Sequence, residues 1–414
     1  MSATPAAQRL AWLIGVPGLV YLLSQVLRNS VAVVERDLEA DFSIGAAAVG
    51  SLSGALFLAY AVAQVPLGVA VDRLGPRRVL GLGAVLMEAG TLLFAVAQAP
   101  WELLAARILM GVGAGPVFAA IMSLVAGAVP AQRFAEYSGR VTGIGRTGVI
   151  LAAAPLAALV ALADWRGAFV TLAVLMGVSG FAMMRVLRGT RTTPVGAVGD
   201  WATVRSGLRQ ALVAPGIPRL IAFQTAVTGT AFTLLAGWGV PWLRSGGLSL
   251  AHASAAMTLC ALAYALGALV WGGVPRWLGS ERMPNLIGGA ALALLLALPA
   301  LGWLEPGGPA MWAWLAAFGL ASAMYPLVLD RVRRRLPPEL IVRGVTMLGV
   351  ISIGGSGLLL AIAGTLIHHH GAMAATRTPE AFVSTFALLA VLVAVTTVAL
   401  AFAPRAPAPS AGQG

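Results

Sequence analysis

Twelve apolar runs, each long enough to cross a bilayer, decide what this chain can fold into. A spanning helix needs about 20 predominantly apolar residues, and such runs lie near residues 10–33, 45–71, 79–98, 101–128, 139–162, 166–187, 219–243, 251–274, 283–304, 310–329, 344–367 and 381–403. Most connections between them are very short. Only 10% of the 414 residues are charged and 59% are hydrophobic, against about a quarter charged in an ordinary soluble domain. A water-soluble globule is excluded. The 50 glycines and 24 prolines sit within the apolar stretches, where membrane helices accept them more readily than soluble ones do. An all-α membrane protein of twelve transmembrane helices is expected. The run at 10–33 is long and no small-residue cleavage site precedes Glu35, so it reads as a retained first helix and not as a signal peptide.

The arginines orient these helices. All 27 basic residues are arginine, which together with the alanine richness reads as the codon bias of a GC-rich genome. With the N-terminus in the cytoplasm, 20 arginines flank the spans on the cytoplasmic side and only Arg36, Arg166, Arg244 and Arg377 lie on the other face, leaving Arg28, Arg107 and Arg146 inside spans. That asymmetry fits one orientation, with both termini cytoplasmic in a bacterial cytoplasmic (inner) membrane. The net charge of +12 is then a topology signal; without a basic stripe interleaved with exposed aromatics, no nucleic-acid partner is expected. Cys260 is the single cysteine, so an intrachain disulfide and a multi-cysteine metal site are both excluded.

The longest connection, 188–218, is polar, broken by Pro and Gly, and falls at the midpoint. It reads as a cytoplasmic linker between six-helix halves at 1–187 and 219–404, with a cytoplasmic tail at 405–414. The halves repeat. Gly68, Leu74, Gly75 and Arg78 of GVAVDRLGPRR correspond to Gly272, Leu278, Gly279 and Arg282 of GGVPRWLGSER, an offset of 204 residues. The same offset maps Val141, Thr142 and Gly145 onto Val345, Thr346 and Gly349. Two matches at one spacing indicate tandem duplication into two pseudo-symmetric six-helix bundles, an architecture many transporters share.

The stretch Gly68, three residues, Asp72-Arg73, one residue, Gly75, then Arg77-Arg78 resembles the signature between helices two and three of the major facilitator superfamily, and Arg107-Ile108-Leu109-Met110-Gly111 is a second match in the fourth run. The resemblance covers essentially the whole chain. It implies a secondary transporter whose two bundles rock around a central cavity. It further implies a gate in which Asp72 sits against the start of helix eleven near Gly344, where a helix dipole favours a carboxylate by about 0.3 to 1 kcal/mol. In the second copy the Asp position is Arg276, so the latch reads as one-sided. The alternative role for Arg73, Arg77 and Arg78 is to hold the turn in the cytoplasm.

A charge at the bilayer centre costs about 2.5 to 3.5 kcal/mol on insertion scales, so intramembrane arginines need a reason. Arg28 shares a polar stripe with Tyr21, Ser24 and Gln25 at helical spacing, which points that stripe at the cavity. Three intramembrane cations face one clear acid, Glu88, a proton-coupling candidate whose alternative role is structural. The guest is therefore expected to be a small organic anion. Arg28-Asn29 followed by Val-Ala-Val-Val is similar to helix one of organic-anion members of the superfamily, where an Arg contacts the substrate. The second arginine that phosphate exchangers carry in helix seven is replaced here by Gln224, Thr225, Thr228 and Thr230. Expected substrate contacts are Arg28, Gln25, Tyr21, Arg107, Gln224 and Thr228, with Arg107 equally readable as structural or as a proton-relay partner and Arg146 as snorkelling to the interface.

Other signals carry less. Gly143-x-Gly145-x-x-Gly148 matches a dinucleotide fingerprint in letters but lies inside a membrane run, where small residues serve helix packing. His368, His369 and His370 read as an incidental loop cluster, so no metal site is expected. The chain offers no nucleophile elbow, phosphate loop or metal-hydrolase helix, so neither an enzyme nor a cofactor is expected. The preferred function is alternating-access transport of the anion with proton symport or exchange, by a monomer in lipid. The alternatives are drug efflux by proton antiport and a non-transporting receptor or assembly subunit.

Overall fold

A computed structural model describes residues 5–188, 201–274, 278, 280, 282–370 and 377–402. They form an all-helical membrane protein. Among the described residues ten helices are long and apolar enough to cross a membrane, and a bent pair makes an eleventh. The fifth span escapes that test because its first helix, Ala131–Leu151, carries Arg133, Glu136, Arg140 and Arg146. It continues past Ala152–Ala153 into the helix Ala154–Val186, which Asp164 divides in two (φ 55°, ψ 179°). There the Asp164 carboxylate accepts a hydrogen bond from the Gly167 N–H at 2.8 Å, capping the sixth span as an Asp at a helix start does. Twelve crossings result.

Several spans are broken where the sequence reads as continuous. In the first, Pro5–Asn29 and Val31–Phe42 meet at 48°. A broken helix frees carbonyls that bilayer lipid cannot satisfy, and Arg107 of the fourth span supplies the donors. Its guanidinium bonds the Leu27 carbonyl at 2.8 Å and reaches the Arg28 carbonyl at 3.5 Å and Leu52 of the second span at 3.3 Å. The fourth span divides into Pro100–Ala114 and Val117–Ala128, and the tenth into Ala310–Ser322 and Tyr325–Arg335. Pro116 and Pro326 account for these breaks, since proline removes a donor from the helical ladder. The seventh span, Ile217–Phe232, runs through a π-helical turn at Thr233–Trp238 into Gly239–Ser245.

The connection at 188–218 contains a helix, Trp201–Val213, whose Gly207 lies directly under the Arg343 guanidinium of span eleven. One expectation needs correcting: His368, His369 and His370 end the long helix Pro338–His370 instead of occupying a loop; among the described residues no His, Cys, Asp or Glu group could hold a metal. Arg276, Arg191, Gly279 and the tail at 405–414 lie outside the described residues.

The first and second halves of the chain meet along spans two (Ala46–Leu74) and eleven. Gly54 and Gly357 pack backbone to backbone, a Cβ at Gly54 falling 2.5 Å from the Gly357 carbonyl, which is how glycine brings membrane helices together. Toward the end away from the arginine-rich turns, the halves are also tied by polar contacts. Arg377 pairs with Glu35 and, at 2.6 Å, with Glu39, and Arg36 donates to the Arg244 carbonyl at 3.1 Å. Toward the arginine-rich end, a side chain added at Gly68, Gly139 or Gly143 would meet nothing within 4 Å, whereas one at Gly344 would meet Leu336.

Candidate functional site

Arg28 lies midway along the first span, 5% exposed. Its guanidinium carbon stands 4.2 Å from the Tyr60 ring centre and 5.7 Å from that of Phe57, both on span two. Among the described residues no carboxylate pairs with it, and its buried Nε has no hydrogen-bond partner. The polar stripe beneath it is internally knit, with Gln25 donating to the Tyr21 hydroxyl at 2.9 Å, Asn29 to the Gln25 carbonyl at 2.7 Å and Ser24 to the Tyr21 carbonyl at 2.6 Å. The Tyr21 ring seats against Gly145 of span five, where any Cβ would collide with it. Two of the three glycines of the dinucleotide look-alike, Gly145 and Gly148, are thus contact points for span one, Gly148 meeting the Leu22 carbonyl.

Arg146 is not extended to the interface. Its guanidinium lies 4.4 Å from the ring centre of Tyr264 on span eight, Leu250–Trp271, and so reaches from the first half of the chain to the second. Tyr21 stands within electrostatic reach of Tyr60, Arg28 and Arg146, and Tyr325, the first residue after the break in span ten, within reach of Tyr60, Tyr21 and Tyr264. Four of the chain's five tyrosines therefore converge around two arginines. The arrangement offers cations already seated on aromatic faces, phenol hydroxyls at their edges, and a buried positive charge without a counter-ion.

The sequence carried a signal for this cage that the motif reading missed. Leu58-Ala59-Tyr60-Ala61 recurs as Leu262-Ala263-Tyr264-Ala265 at the duplication offset of 204. The surroundings repeat as well. A Cβ at Gly111 would meet the Leu56 carbonyl at 2.4 Å, the Ala59 Cβ and the Tyr60 nitrogen; one at Gly319 would meet the Cys260 carbonyl at 2.4 Å, the Ala263 Cβ and the Tyr264 nitrogen. Each half thus uses one glycine to press a neighbouring span against its tyrosine.

The remaining expected residues divide. Gln224 and Thr228, both buried, bond each other on the span-seven face that continues, four residues on, to Phe232. That ring stands 5.2 Å from Phe57, tilted by 50°, which links the pair to the Arg28 wall, and the Gln224 Oε1 has no partner among the described residues. Arg107 is fully buried with its donors spent on the break in span one. Glu88 lies apart, between span three (Pro76–Val96) and span six, its carboxylate against Gly177. Asp72 makes no hydrogen bond or ion pair among the described residues, and Gly344 packs against Leu336 and Val332. Gly75 closes the turn after span two at φ 83°, donating to the Val71 carbonyl at 3.0 Å, while Arg73 and Arg78 are exposed.

The sequence profile of the Major Facilitator Superfamily matches residues 17–355. The chain belongs to that superfamily. Membership makes this facilitator a multi-pass secondary transporter that binds a small-molecule solute within the membrane, and not an enzyme. Its fold is similar to the crystal structure of nucleoside transporter NupG (D323A mutant), with a TM-score of 0.76 at 14% identity over 94% of this chain and 99% of that one. It is equally similar to a bacterial homologue of the human lysosomal transporter Spinster in an inward-facing and occupied conformation, with a TM-score of 0.76 at 17% identity over 96% and 97%. By sequence it is similar to the Corynebacterium glutamicum gentisate transporter, 25% identical over 351 residues, 81% of this chain and 76% of that protein. The Escherichia coli K12 protein described as "Probable L-galactonate transporter" is 28% identical over 148 residues, 36% of this chain and 33% of the relative.

Proposed function

We propose that this facilitator carries a small organic anion, a carboxylate, held by Arg28 with Arg146 opposite it and the four tyrosines around both. The observation that carries this reading is Arg28: a cation 5% exposed, backed by rings and paired with no anion. An uncompensated buried charge costs several kcal/mol, so an anionic guest stabilises the site by what the site lacks. The substrates named for two relatives, gentisate and L-galactonate, are organic anions as well. Gln25, Tyr21, Gln224 and Thr228 add neutral hydrogen-bonding edges, and Arg107 holds the span-one break that presents Arg28.

On this reading the chain is two bundles, 1–187 and 219–404, joined by the linker at 188–218, in a bacterial inner membrane as a monomer. Its arginine-rich end and termini face the cytoplasm. Gly68, Asp72, Arg73, Gly75, Arg77 and Arg78 form the turn whose Asp72 meets the start of span eleven near Gly344 when the cytoplasmic end closes. Transport is driven by proton symport or exchange. The test is uptake by reconstituted protein, preceded by a thermal-shift panel of carboxylates, phosphates and sulfonates; a ligand at 100 times its Kd stabilises by about 2.7 kcal/mol. Arg28→Gln is expected to lower uptake of the carboxylate hit at least about 30-fold while leaving the protein monodisperse, since unpairing a buried charge costs about 2 to 5 kcal/mol. Unaltered uptake overturns the assignment.

A further inference from the structure

The end of the molecule away from the arginine-rich turns contains an ion group that the cargo site does not use. Glu35 and Glu39 lie four residues apart on the second segment of span one, facing the same way, and are 2% and 1% exposed. Both reach Arg377, 6% exposed, which comes from the segment before span twelve in the other half of the chain. The two carboxyl groups also stand within hydrogen-bonding reach of each other. Two carboxylates at that distance repel unless one holds a proton and donates it to the other. Taken by themselves, these three groups carry one net negative charge, which one proton removes.

Other charged groups stand around these three. Arg36 donates to the Arg244 carbonyl, and Arg244 stands in electrostatic reach of Glu35 as well as Asp37. Asp41 faces Arg166 at 3.7 Å, Trp238 offers Arg377 a ring face at 5.9 Å, and His368 lies against Gly45 on span eleven.

We propose that Glu35 and Glu39 form a proton-binding site, one proton shared between two carboxyls, which ties down Arg377 and holds this end of the transporter shut. The proposal rests on the reading of the chain as a proton-driven transporter and locates the proton. When this end opens, Arg377 leaves with its half of the chain, water reaches both carboxylates, and they ionise in the ordinary range. The shut state therefore binds the proton more tightly than the open one, and by linkage falling pH favours closure, by up to about tenfold per pH unit for one proton.

The test is a distance measurement that needs no substrate, so its failure is separable from failure of the anion assignment. Spin labels are attached at Ala40→Cys in the first half and Ala251→Cys in the second, both exposed positions at this end; native Cys260 is buried and stays unlabelled. In nanodiscs between pH 8.5 and 5, the open population of the labelled protein is expected to fall with falling pH. Glu39→Gln replaces the shared proton by an amide and should hold the short distance at every pH, Glu35→Gln should do the same, and Glu39→Asp should keep the slope. Arg377→Gln should populate the long distance at neutral pH. A distance that ignores pH in the parent protein, or a slope unchanged in both Gln variants, overturns the proposal.

Discussion

At the scale of single residues, three intramembrane arginines, Arg28 and Arg107 buried and Arg146 partly so, do three different things, and their surroundings decide which. Arg107 is a structural donor: its contacts to the Leu27 and Arg28 carbonyls replace helical hydrogen bonds lost where span one breaks, and a third ties it to Leu52 of span two. Hydrogen bonds to a charged group contribute about 1.5 to 3 kcal/mol each, so Arg107→Met is expected to cost roughly 3 kcal/mol or more, visible as a lowered Tm in detergent without any ligand present. Arg146, by contrast, acts through a ring. Tyr264→Phe should keep anion affinity within about twofold, whereas Tyr264→Ala should weaken it about 2- to 30-fold, the span of a cation–π contact, as read by thermal-shift titration. Arg28 has two aromatic walls and, among the described residues, no carboxylate partner. Nothing in the local sequence separates these cases, because the difference lies in partners contributed by other spans.

Elements are held apart or together mainly by glycines. Gly111 and Gly319 bring spans four and ten onto the backbones of spans two and eight at the level of Tyr60 and Tyr264. A methyl group there meets main-chain atoms that cannot rotate away, so Gly319→Ala should lower the yield of folded protein and the Tm together. Gly145→Ala instead displaces the Tyr21 ring; it should leave the fold intact and weaken anion binding, which distinguishes a site glycine from a packing glycine in the same assays. The apolar runs located nearly all of these spans because bilayer thickness alone fixes their length. The breaks were illegible. Ser30 opens a 48° bend with no proline beside it, and only the donor waiting across the interface, Arg107, explains why the chain can afford one. The helix at Trp201–Val213 was hidden for a related reason: short and polar, it is stabilised by what it lies against, including Arg343.

For the whole molecule, the duplication offset was readable from two motif pairs, yet the repeat on which the proposed cargo site is built, Leu-Ala-Tyr-Ala, lies in ordinary apolar sequence and stands out only once Arg28 and Arg146 are seen on its two tyrosines. The face with few arginines has a physical explanation of the same kind: Arg36, Arg166, Arg244 and Arg377 are each engaged with another element. Span two and span eleven approach closely at Ala61 and Gly354, with a Cβ separation of 3.3 Å, within reach of a disulfide after slight adjustment. A cysteine pair at these positions should cross-link under oxidation, stop uptake, and recover on reduction; uptake that persists in the oxidised protein would show that the two spans need not separate. Finally, Tyr60 and Tyr264 are equivalent positions of the repeat, so on the proposed assignment the cargo is held near the axis relating the two halves. A solute bound at a pivot is turned and hardly displaced when the halves exchange positions. The electrical work of the cycle then falls on charges far from the axis, where moving one elementary charge through 100 mV of membrane potential changes the energy by about 2.3 kcal/mol. Voltage should consequently act on the empty carrier nearly as strongly as on the loaded one.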